Sequence, residues 1–438
     1  MGLIIGAGNT KPAFAYDYYY GVEFDITVAA TSGTRLGRPE LHVSLPIQSR
    51  MKRCVVRDNG TVAYYLGDND STKTSTGGTA DLTGATGQVM VEIPRHYRKF
   101  ETEGNKIRCF LSEYPLPGFT EVPLMYVSAY EATVDRSTTS KLKLASVVNN
   151  TANFRGCGNQ ADWDNTYRTA LGRPATAISR TNYRNYARNR VDNDTRWNCY
   201  TYEVHKTLFW LFTVEYNTSN CQAAFNAEVT SEGYKQGGLG AGVTTLNSSK
   251  WSAFNAYYPF VPCGHTNSLG NKTGVVPFTM PNEYDPGVPT SVEVPSYRGV
   301  ENPFGHVWKW TDGVNIEIQS ATSGNESKVW ACSDPSKYQD NYTDYDYIGN
   351  LPRSEGYMKA LMFGEAGQML PATVGASATT YWCDYFYTSI PTEGVSLRGL
   401  LFGGCADFGT NAGFGAASTN YTPSRTYATI GSRLCFLP

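Results

Sequence analysis

Residues 403–436 combine a fixed-looking frame of small residues with positions that vary widely in chemistry. Gly-Gly opens the segment, Ala-Gly-Phe-Gly follows at 412–415, and Ile-Gly-Ser-Arg closes it at 430–433. Cys, Asp, Phe, Thr, Asn, Ser, Tyr and Arg occupy the positions between, and residues 405–429 contain no Lys, Glu, Gln, Met or Trp. Glycines permit tight turns that present neighbouring side chains outward, and rigid scaffolds often carry function on such loops. The segment therefore predicts loops that display their side chains outward.

The intervening side chains of this segment are the expected ligand contacts. Tyr and Arg are enriched in binding hot spots, and a Phe adds a large apolar contact. Three residues upstream of this segment, Tyr381, Tyr385 and Ser389, are also expected to contact the ligand. For the two tyrosines, ordinary packing within a strand is the alternative. The expected ligand-binding residues are Cys405, Asp407, Phe408, Thr410, Asn411, Ser418, Asn420, Tyr421, Arg425, Tyr427, Thr429, Tyr381, Tyr385 and Ser389.

Charge and composition exclude several function classes. Of 438 residues, 37 are Lys or Arg and 39 are Asp or Glu, which gives a net charge of -2. A general nucleic-acid binder draws its affinity from an excess of basic residues, so nucleic acid is not an expected partner. The chain shows neither a secretory signal nor an apolar run long enough for a membrane span. We therefore expect no membrane insertion, and reduced cysteines.

The titratable residues show no catalytic or metal-binding pattern. The ten cysteines include no C-x-x-C pair, and the five histidines are dispersed. Asp340, Asp344 and Asp346 could offer oxygen ligands to calcium, but their spacing departs from an EF-hand loop and favours a solvated Tyr/Asp loop. We expect no catalytic residues, no metal ligands and no cofactor.

The order of predicted elements indicates an α+β chain. Asp58-Asn59-Gly60 lies between two apolar runs and predicts a hairpin within 53–66, and the polar residues 67–87 predict a loop or linker. Two helices are predicted, one over 178–190 with Ser179 or Thr181 as N-cap, and one over 202–216 with Thr201 as N-cap. The second has apolar residues on nearly all sides, which is typical of a buried helix. Further strands are predicted over 20–28, 88–94 and 125–134.

Three local segments resemble the C-type-lectin fold as the formylglycine-generating-enzyme superfamily uses it. They are Ser128-Ala-Tyr-Glu-Ala-Thr133, Glu301-Asn-Pro-Phe-Gly-His-Val-Trp-Lys-Trp310, and Arg398 to Gly404 together with Ile430-Gly-Ser-Arg433. The resemblance covers roughly residues 88–438. It implies an α+β, C-type-lectin-like domain of the formylglycine-generating-enzyme type over 86–438, with a variable region at about 380–436. A small β-rich N-terminal domain over 1–85 would serve for oligomerisation or attachment.

The variable segment resembles that of proteins diversified by retroelements that mutagenise adenines. The five amino acids missing from 405–429 are those that an Asn codon cannot reach when only its adenines are replaced. Residues 41–50, 88–94 and 112–119 also resemble tail receptor-binding proteins of phages that infect gut Bacteroidetes. These resemblances imply a non-enzymatic receptor-binding protein at a phage tail tip, in the virion. The implied partners are a host cell-surface protein or glycan, other phage tail proteins, and further copies of the chain, with a trimer favoured.

Two alternatives stay open at this point. One is a ligand-binding variable protein that the bacterium displays on its surface or secretes. The other is an enzyme of the formylglycine-generating type, which would need a close cysteine pair as a copper site. Cys383, Cys405 and Cys435 are present without that close spacing.

Overall fold

The fold consists mainly of β-strands with a few helices. A computed structural model describes residues 16–156, 169–255, 259–280 and 290–438. The α-helices in these ranges are α1 (Pro39–Ser44), α2 (Arg180–Arg188), α3 (Tyr202–Tyr216) and α4 (Ser248–Asn255). No helix in the described ranges is both long enough and apolar enough to span a membrane.

The strands are numbered in chain order. Those before α2 are β1 (Tyr20–Asp25), β2 (Thr34–Gly37), β3 (Lys52–Val56), β4 (Val62–Tyr65), β5 (Gln88–Ile93), β6 (His96–Glu103), β7 (Lys106–Ser112), β8 (Thr120–Val122), β9 (Met125–Ser128), β10 (Thr133–Asp135) and β11 (Lys143–Ala145). The next are β12 (Trp197–Cys199), β13 (Phe225–Val229), β14 (Lys235–Gly237), β15 (Gly274–Met280), β16 (Thr290–Tyr297), β17 (Val300–Glu301) and β18 (Trp308–Gln319). The last are β19 (Ser327–Ala331), β20 (Asp346–Asn350), β21 (Gly356–Phe363), β22 (Gln368–Val374), β23 (Tyr385–Tyr387), β24 (Val395–Phe402), β25 (Ala417–Ser418), β26 (Ile430–Gly431) and β27 (Leu434–Phe436).

Three sheets carry most of the described structure. The first sheet is antiparallel, in the order β2-β1-β7-β6-β8, and the second is antiparallel, in the order β12-β27-β9-β5-β3-β4. The third sheet has nine strands, in the order β20-β19-β18-β24-β25-β23-β21-β22, with β26 parallel to β18. Smaller sheets pair β10 with β11, β13 with β14, and β15 with β16 and β17.

Helix α3 lies between the first and the third sheet. It contacts β1 and β7 on one side and β18 on the other. All of its side chains except Glu203 are buried, and the Thr201 side chain accepts a hydrogen bond from the Val204 N–H as its N-cap. An apolar surface on all sides of a helix is stable only where both sides are covered. The predicted buried helix and its cap are confirmed.

Other local predictions have mixed outcomes. The hairpin within 53–66 is confirmed as β3 and β4, and the first predicted helix is confirmed as α2 with Ser179 as N-cap. A single strand over 125–134 is wrong, because β9 ends at Ser128 and β10 begins at Thr133. Between them the chain leaves the sheet so that the Glu131 carboxylate can pair with buried groups of another segment.

The three segments on which the fold resemblance rests meet in the interior. The Arg433 guanidinium donates to the carbonyl oxygens of Ser128, at 3.1 Å, and of Asn302, at 2.7 Å, and also to that of Glu301. The polar atoms of this junction are buried away from water, where an unpaired group would be costly. Segments far apart in sequence are therefore held together by one side chain of the closing Ile-Gly-Ser-Arg motif.

A buried ion cluster extends this junction. The Glu131 carboxylate lies 2.5 Å from His306 Nδ1 and 3.0 Å from Lys309 Nζ. Burial raises the pKa of Glu131, but Lys309 and His306 outweigh it and lower the pKa to about 2. Burial lowers the pKa of Lys309 to about 8 despite Glu131. The second segment of the resemblance is thus joined to the first by ion pairs, in addition to the hydrogen bonds that Arg433 of the third segment makes to both.

Strands from both sides of the predicted boundary at 85/86 share two sheets. In the first sheet β1 pairs with β7, and in the second β3 pairs with β5. The division into 1–85 and 86–438 stays a prediction, and in the described part of the chain it does not coincide with a gap between sheets.

Candidate functional site

The predicted ligand-binding segment starts in the middle of the nine-stranded sheet. We call residues 403–416, between β24 and β25, the display loop, and residues 419–429, between β25 and β26, the display arm. Gly403 and Gly404 turn the chain out of β24 with φ of 101° and 74°. A Cβ on Gly404 would lie 2.6 Å from the Ala412 Cβ, so this turn requires glycine.

A glutamine outside the display loop binds its main chain. The Gln222 Nε2 group donates to the carbonyl oxygen of Gly409 at 3.0 Å, and also to that of Ala412. Between these two acceptors a 3₁₀ turn spans Gly409–Asn411. One fixed amide group therefore shapes the tip of the loop without touching a variable side chain.

Helix α3 and the chain that follows it bind the next part of the display loop. His205 Nε2 lies 2.8 Å from the carbonyl oxygen of Phe414, and its Nδ1 lies 2.9 Å from the Tyr200 hydroxyl. Because a carbonyl oxygen only accepts, Nε2 carries the proton, and burial lowers the pKa of His205 to about 3. The Phe414 N–H donates to the Cys221 Sγ at 3.2 Å. Both polar main-chain groups of Phe414 are satisfied from outside the loop.

A buried carboxyl binds the end of the display loop. The Gly415 N–H donates to Asp384 Oδ2 at 2.6 Å, and a Cβ on Gly413 would lie only 1.8 Å from Asp384 Oδ1. The close approach explains why both loop positions are glycine. Burial raises the pKa of Asp384 well above its usual range, which favours the protonated carboxyl.

A row of aromatic rings lies beside the display loop. The ring centroids of Tyr357 and Tyr385 are 5.0 Å apart, those of Tyr385 and Tyr387 are 4.5 Å apart, and those of Tyr387 and Phe408 are 5.2 Å apart. Phe408 also packs edge-on against Trp308 at 5.3 Å. The strands bring these rings together because β23 pairs with β21 and lies next to β25.

Hydrogen bonds connect this row to the tip of the display loop. The Tyr357 hydroxyl donates to Asn411 Oδ1 at 2.6 Å and lies 2.9 Å from Thr410 Oγ1. The Asn411 Nδ2 group in turn donates to the Tyr387 hydroxyl at 2.7 Å. Burial raises the pKa of Tyr387, so its hydroxyl stays neutral. We call Tyr357, Tyr385, Tyr387, Phe408, Thr410 and Asn411 the loop face.

A second group of side chains lies on the display arm. The rings of Tyr421 and Tyr427 stack at 5.9 Å with an interplanar angle of 28°, and Tyr427 is 42% exposed. The Arg425 guanidinium lies 4.6 Å from the Tyr427 ring and 5.6 Å from the Tyr421 ring, within cation–π range. The Ala177 N–H binds the Tyr427 carbonyl oxygen at 2.9 Å, so this arm too is held through its main chain.

The structure places most of the other predicted residues at the margin of these two groups. Asp407 and Thr429 are half-buried, and Asn420 lies next to Arg398, which donates to its carbonyl oxygen at 3.0 Å. Tyr381 is half-buried with Lys359 Nζ 5.5 Å from its ring, and Ser389 is exposed. In the described part of the chain, none of these five side chains forms a hydrogen bond, ion pair or ring contact with the loop face.

Two predicted residues are not on the surface. Cys405 is 1% exposed and Ser418 is 3% exposed. Cys405 packs into a hydrophobic core directly after the double-glycine turn, and Ser418 lies in β25 between β24 and β23. The expectation that both side chains face a ligand is wrong, because the sheet and the core cover them.

The sequence reasoning missed Tyr357 and Tyr387. Tyr387 stands two residues after Tyr385 in the same strand, so the two share a face, and this alternation was a usable signal. Tyr357 had no such signal. It reaches the site only because it pairs with Tyr385 across β21 and β23.

The described ranges contain no group of three or more His, Cys, Asp or Glu side chains placed to hold a metal ion. Asp340, considered above as a calcium ligand, accepts hydrogen bonds from Arg180 and Arg184 at 2.7 Å each. Burial raises the pKa of Asp340, but the two arginines outweigh it and lower the pKa to about 2. The carboxylate is therefore already engaged by protein groups. The described cysteines are free thiols.

Comparisons with known proteins yield only distant likeness. No family model matches the chain, and no curated protein matches it. Among solved structures, the Major Tropism Determinant U1 variant aligns at 13% identity and a TM-score of 0.24, over 71% of this chain and 50% of its own. The P3c and I1 variants align at 11% and 12% identity, each with a TM-score of 0.25, over 92% of this chain and 88% of their own. The chain thus spans half the length of the U1 variant, and these TM-scores are too low to assign a family.

Proposed function

We propose that this chain is a receptor-binding protein whose C-terminal face recognises host-surface ligands. The observation that carries the proposal is the way the display loop is held. Gln222, His205, Cys221 and Asp384 bind its main chain from outside, and none of them depends on a side chain at a variable position. Side chains on such a loop can change while its path is kept, which is what adenine-directed diversification would require.

The surface chemistry supports recognition of a neutral partner. The loop face presents tyrosine hydroxyls, a phenyl ring and an amide, and the display arm adds two tyrosines and one arginine. Tyrosine brings a large, rigid contact area at low entropic cost, and polar neighbours adapt their hydrogen bonds. This set fits a host-surface protein or glycan.

We also propose a C-type-lectin-like fold of the formylglycine-generating-enzyme type for the region after residue 85. Its support is that the three resembling segments converge on Arg433 and Glu131. The chain would act without catalysis, in a phage tail tip of the type found in phages of gut Bacteroidetes. Residues 1–85 would attach to other tail proteins or to copies of the chain in a trimer. Several copies would raise avidity about 10²–10⁴-fold where geometry permits. Display on a bacterial surface is the alternative location.

DNA sequencing tests the diversification directly. We expect a near-copy of the stretch that encodes residues 397–436 downstream of the gene, beside a reverse transcriptase. Template adenines should mark codons of the exposed and half-buried positions. These positions are Asp407, Phe408, Thr410, Asn411, Asn420, Tyr421, Arg425, Tyr427 and Thr429.

For the codons of the glycine-rich frame, the same experiment should give the opposite result. Codons 403, 404 and 413–415 should be unchanged between the copy and the gene, because their residues lack space for other side chains or hold the loop. Absence of a near-copy, or mismatches spread evenly over the frame, would refute the proposed diversification.

A further inference from the structure

A second aromatic surface lies at the far edge of the nine-stranded sheet, on β19 and β20. The Trp330 ring stacks on Tyr342 at 4.9 Å with an interplanar angle of 16°, and Tyr347 lies 5.7 Å from it. Tyr342 is 40% exposed and Tyr347 is 50% exposed. We call these three residues the edge patch. Clustered exposed rings of this kind mark interaction sites more often than isolated ones do.

The loop that carries Tyr342 is held in place from below. The buried Asn315 side chain donates to the carbonyl oxygen of Gln339 at 3.0 Å and to that of Asn341 at 2.6 Å. The Thr343 N–H donates to Asn341 Oδ1 at 2.8 Å. An exposed ring on a fixed loop loses little conformational entropy when it binds a partner.

The charges around the edge patch are mostly negative. Asp340 is neutralised by Arg180 and Arg184, and Lys328 is paired with Glu326 at 3.1 Å. The remaining charged side chains between residues 332 and 350 are Asp334, Asp344, Asp346 and Lys337, all exposed. Asp346 directly precedes Tyr347 in β20, so its side chain lies on the other face of the sheet, whereas Asp344 lies on the loop that carries Tyr342. A carboxylate on that loop complements a cationic partner.

Tryptophan at position 330 leaves one polar group unpaired. Its indole Nε1 is buried and has no hydrogen-bond partner in the described part of the chain. An unsatisfied buried donor costs about 1–3 kcal/mol, and phenylalanine would stack without that cost. Tryptophan is the best aromatic partner for a cation over its face.

We propose that the edge patch binds lysine or arginine side chains of a partner protein. The cationic group would lie against the rings of Trp330 and Tyr347, with the exposed carboxylate of Asp344, on the loop that carries Tyr342, supplying negative charge. Strand pairing connects the edge patch to the display arm. Trp330 lies opposite Asn315, and Asn315 lies opposite Gly399, whose N–H binds the display arm. The patch does not depend on variation of the display loop, so it can hold if the proposed diversification fails.

Fluorescence anisotropy with a labelled hexa-arginine peptide tests this site. Wild-type protein should bind this peptide and not a labelled hexaglutamate. Trp330→Ala should weaken binding about five- to thirty-fold, and Tyr347→Ala, at an exposed position that folding tolerates, about two- to five-fold. Tyr114→Ala is the matched control, because Tyr114 is also 50% exposed but lies after β7 in the first sheet. It should bind like wild type.

Three outcomes would overturn the proposal. One is unchanged peptide binding in both Trp330→Ala and Tyr347→Ala, which would mean attraction by bulk charge. Another is loss of binding in Tyr421→Ala plus Tyr427→Ala in place of the edge-patch variants, which would move the cation to the display arm. The third is Trp330-dependent binding of maltoheptaose with no binding of hexa-arginine, which would make the patch a glycan site. Far-ultraviolet circular dichroism of each variant confirms that it folds.

Discussion

The display loop and the Arg433 junction are both built from buried hydrogen bonds, but in opposite ways. At the junction the Arg433 side chain binds main-chain carbonyl oxygens of distant segments. In the display loop the main chain is bound by side chains from other parts of the chain, such as Asp384. Substitution of Arg433 therefore removes the hydrogen bonds that hold the three segments together. Substitution at an intervening loop position leaves the holding contacts in place. This contrast can be measured through the free energy of unfolding and through binding.

The largest effect is expected at the junction. Arg433→Leu leaves the buried carbonyl oxygens of Ser128 and Asn302 without a donor, and should lower the free energy of unfolding by about 3–5 kcal/mol. The matched control is Arg425→Leu, which removes an exposed arginine of the display arm and should change it by less than about 0.5 kcal/mol. Urea denaturation followed by circular dichroism measures both. Similar losses of unfolding free energy in the two variants would show that the junction and the display arm do not differ in this way.

The next effect is expected in the frame of the display loop. Gly413→Ala places a Cβ against the buried Asp384 carboxyl and should cost about 2–3 kcal/mol. Gly78→Ala is the control, because there the new Cβ would meet its nearest neighbour, Thr74 Oγ1, at an ordinary 3.4 Å. Thermal unfolding compares the two variants. A Gly413→Ala protein as stable as the control would show that the loop backbone is not fixed as described.

The sequence was most informative where a pattern is local. The cap and the burial of α3 follow from Thr201 and an uninterrupted apolar helix, and the β3–β4 turn follows from Asn59-Gly60. The candidate site was predictable only as a segment. Cys405 and Ser418 are covered by elements far away in sequence, and Tyr357 joins the loop face through a strand pairing that no spacing in the chain reveals. Long-range pairing decides which side of a strand faces solvent.

The buried Asp384 carboxyl beneath the display loop should make the stability of the protein depend on pH. The unfolded Asp384 carboxyl has a pKa near 3.8, whereas burial raises the folded value well above this. As pH rises past about 4, the unfolded state loses the proton that the folded state keeps, so the free energy of unfolding falls. Asp384→Asn keeps an acceptor for the Gly415 N–H and cannot titrate. It should be more stable than wild type at pH 8, by about 1.4 kcal/mol for each pKa unit of the shift.

Denaturation at pH 4, 6 and 8 measures this effect. The stability difference between Asp384→Asn and wild type should be small at pH 4 and should grow towards pH 8. Asp344→Asn, at an exposed position, serves as control and should show no such growth. A difference that is constant over this range would mean that the Asp384 carboxyl is not buried in the neutral form.

The smallest effect on stability, and the largest on recognition, is expected on the display arm. Tyr421→Ala plus Tyr427→Ala removes a stacked ring pair whose main chain is held independently by contacts such as that from the Ala177 N–H. The free energy of unfolding should fall by no more than about 1 kcal/mol. If the proposed function is right, adsorption of labelled protein to cells that the wild type binds should weaken at least tenfold, because tyrosines are enriched among the residues that carry most of the binding energy. Tyr114→Ala, outside both display segments, should adsorb like wild type. Full adsorption by the double variant would separate the display arm from recognition and leave the loop face as the candidate contact.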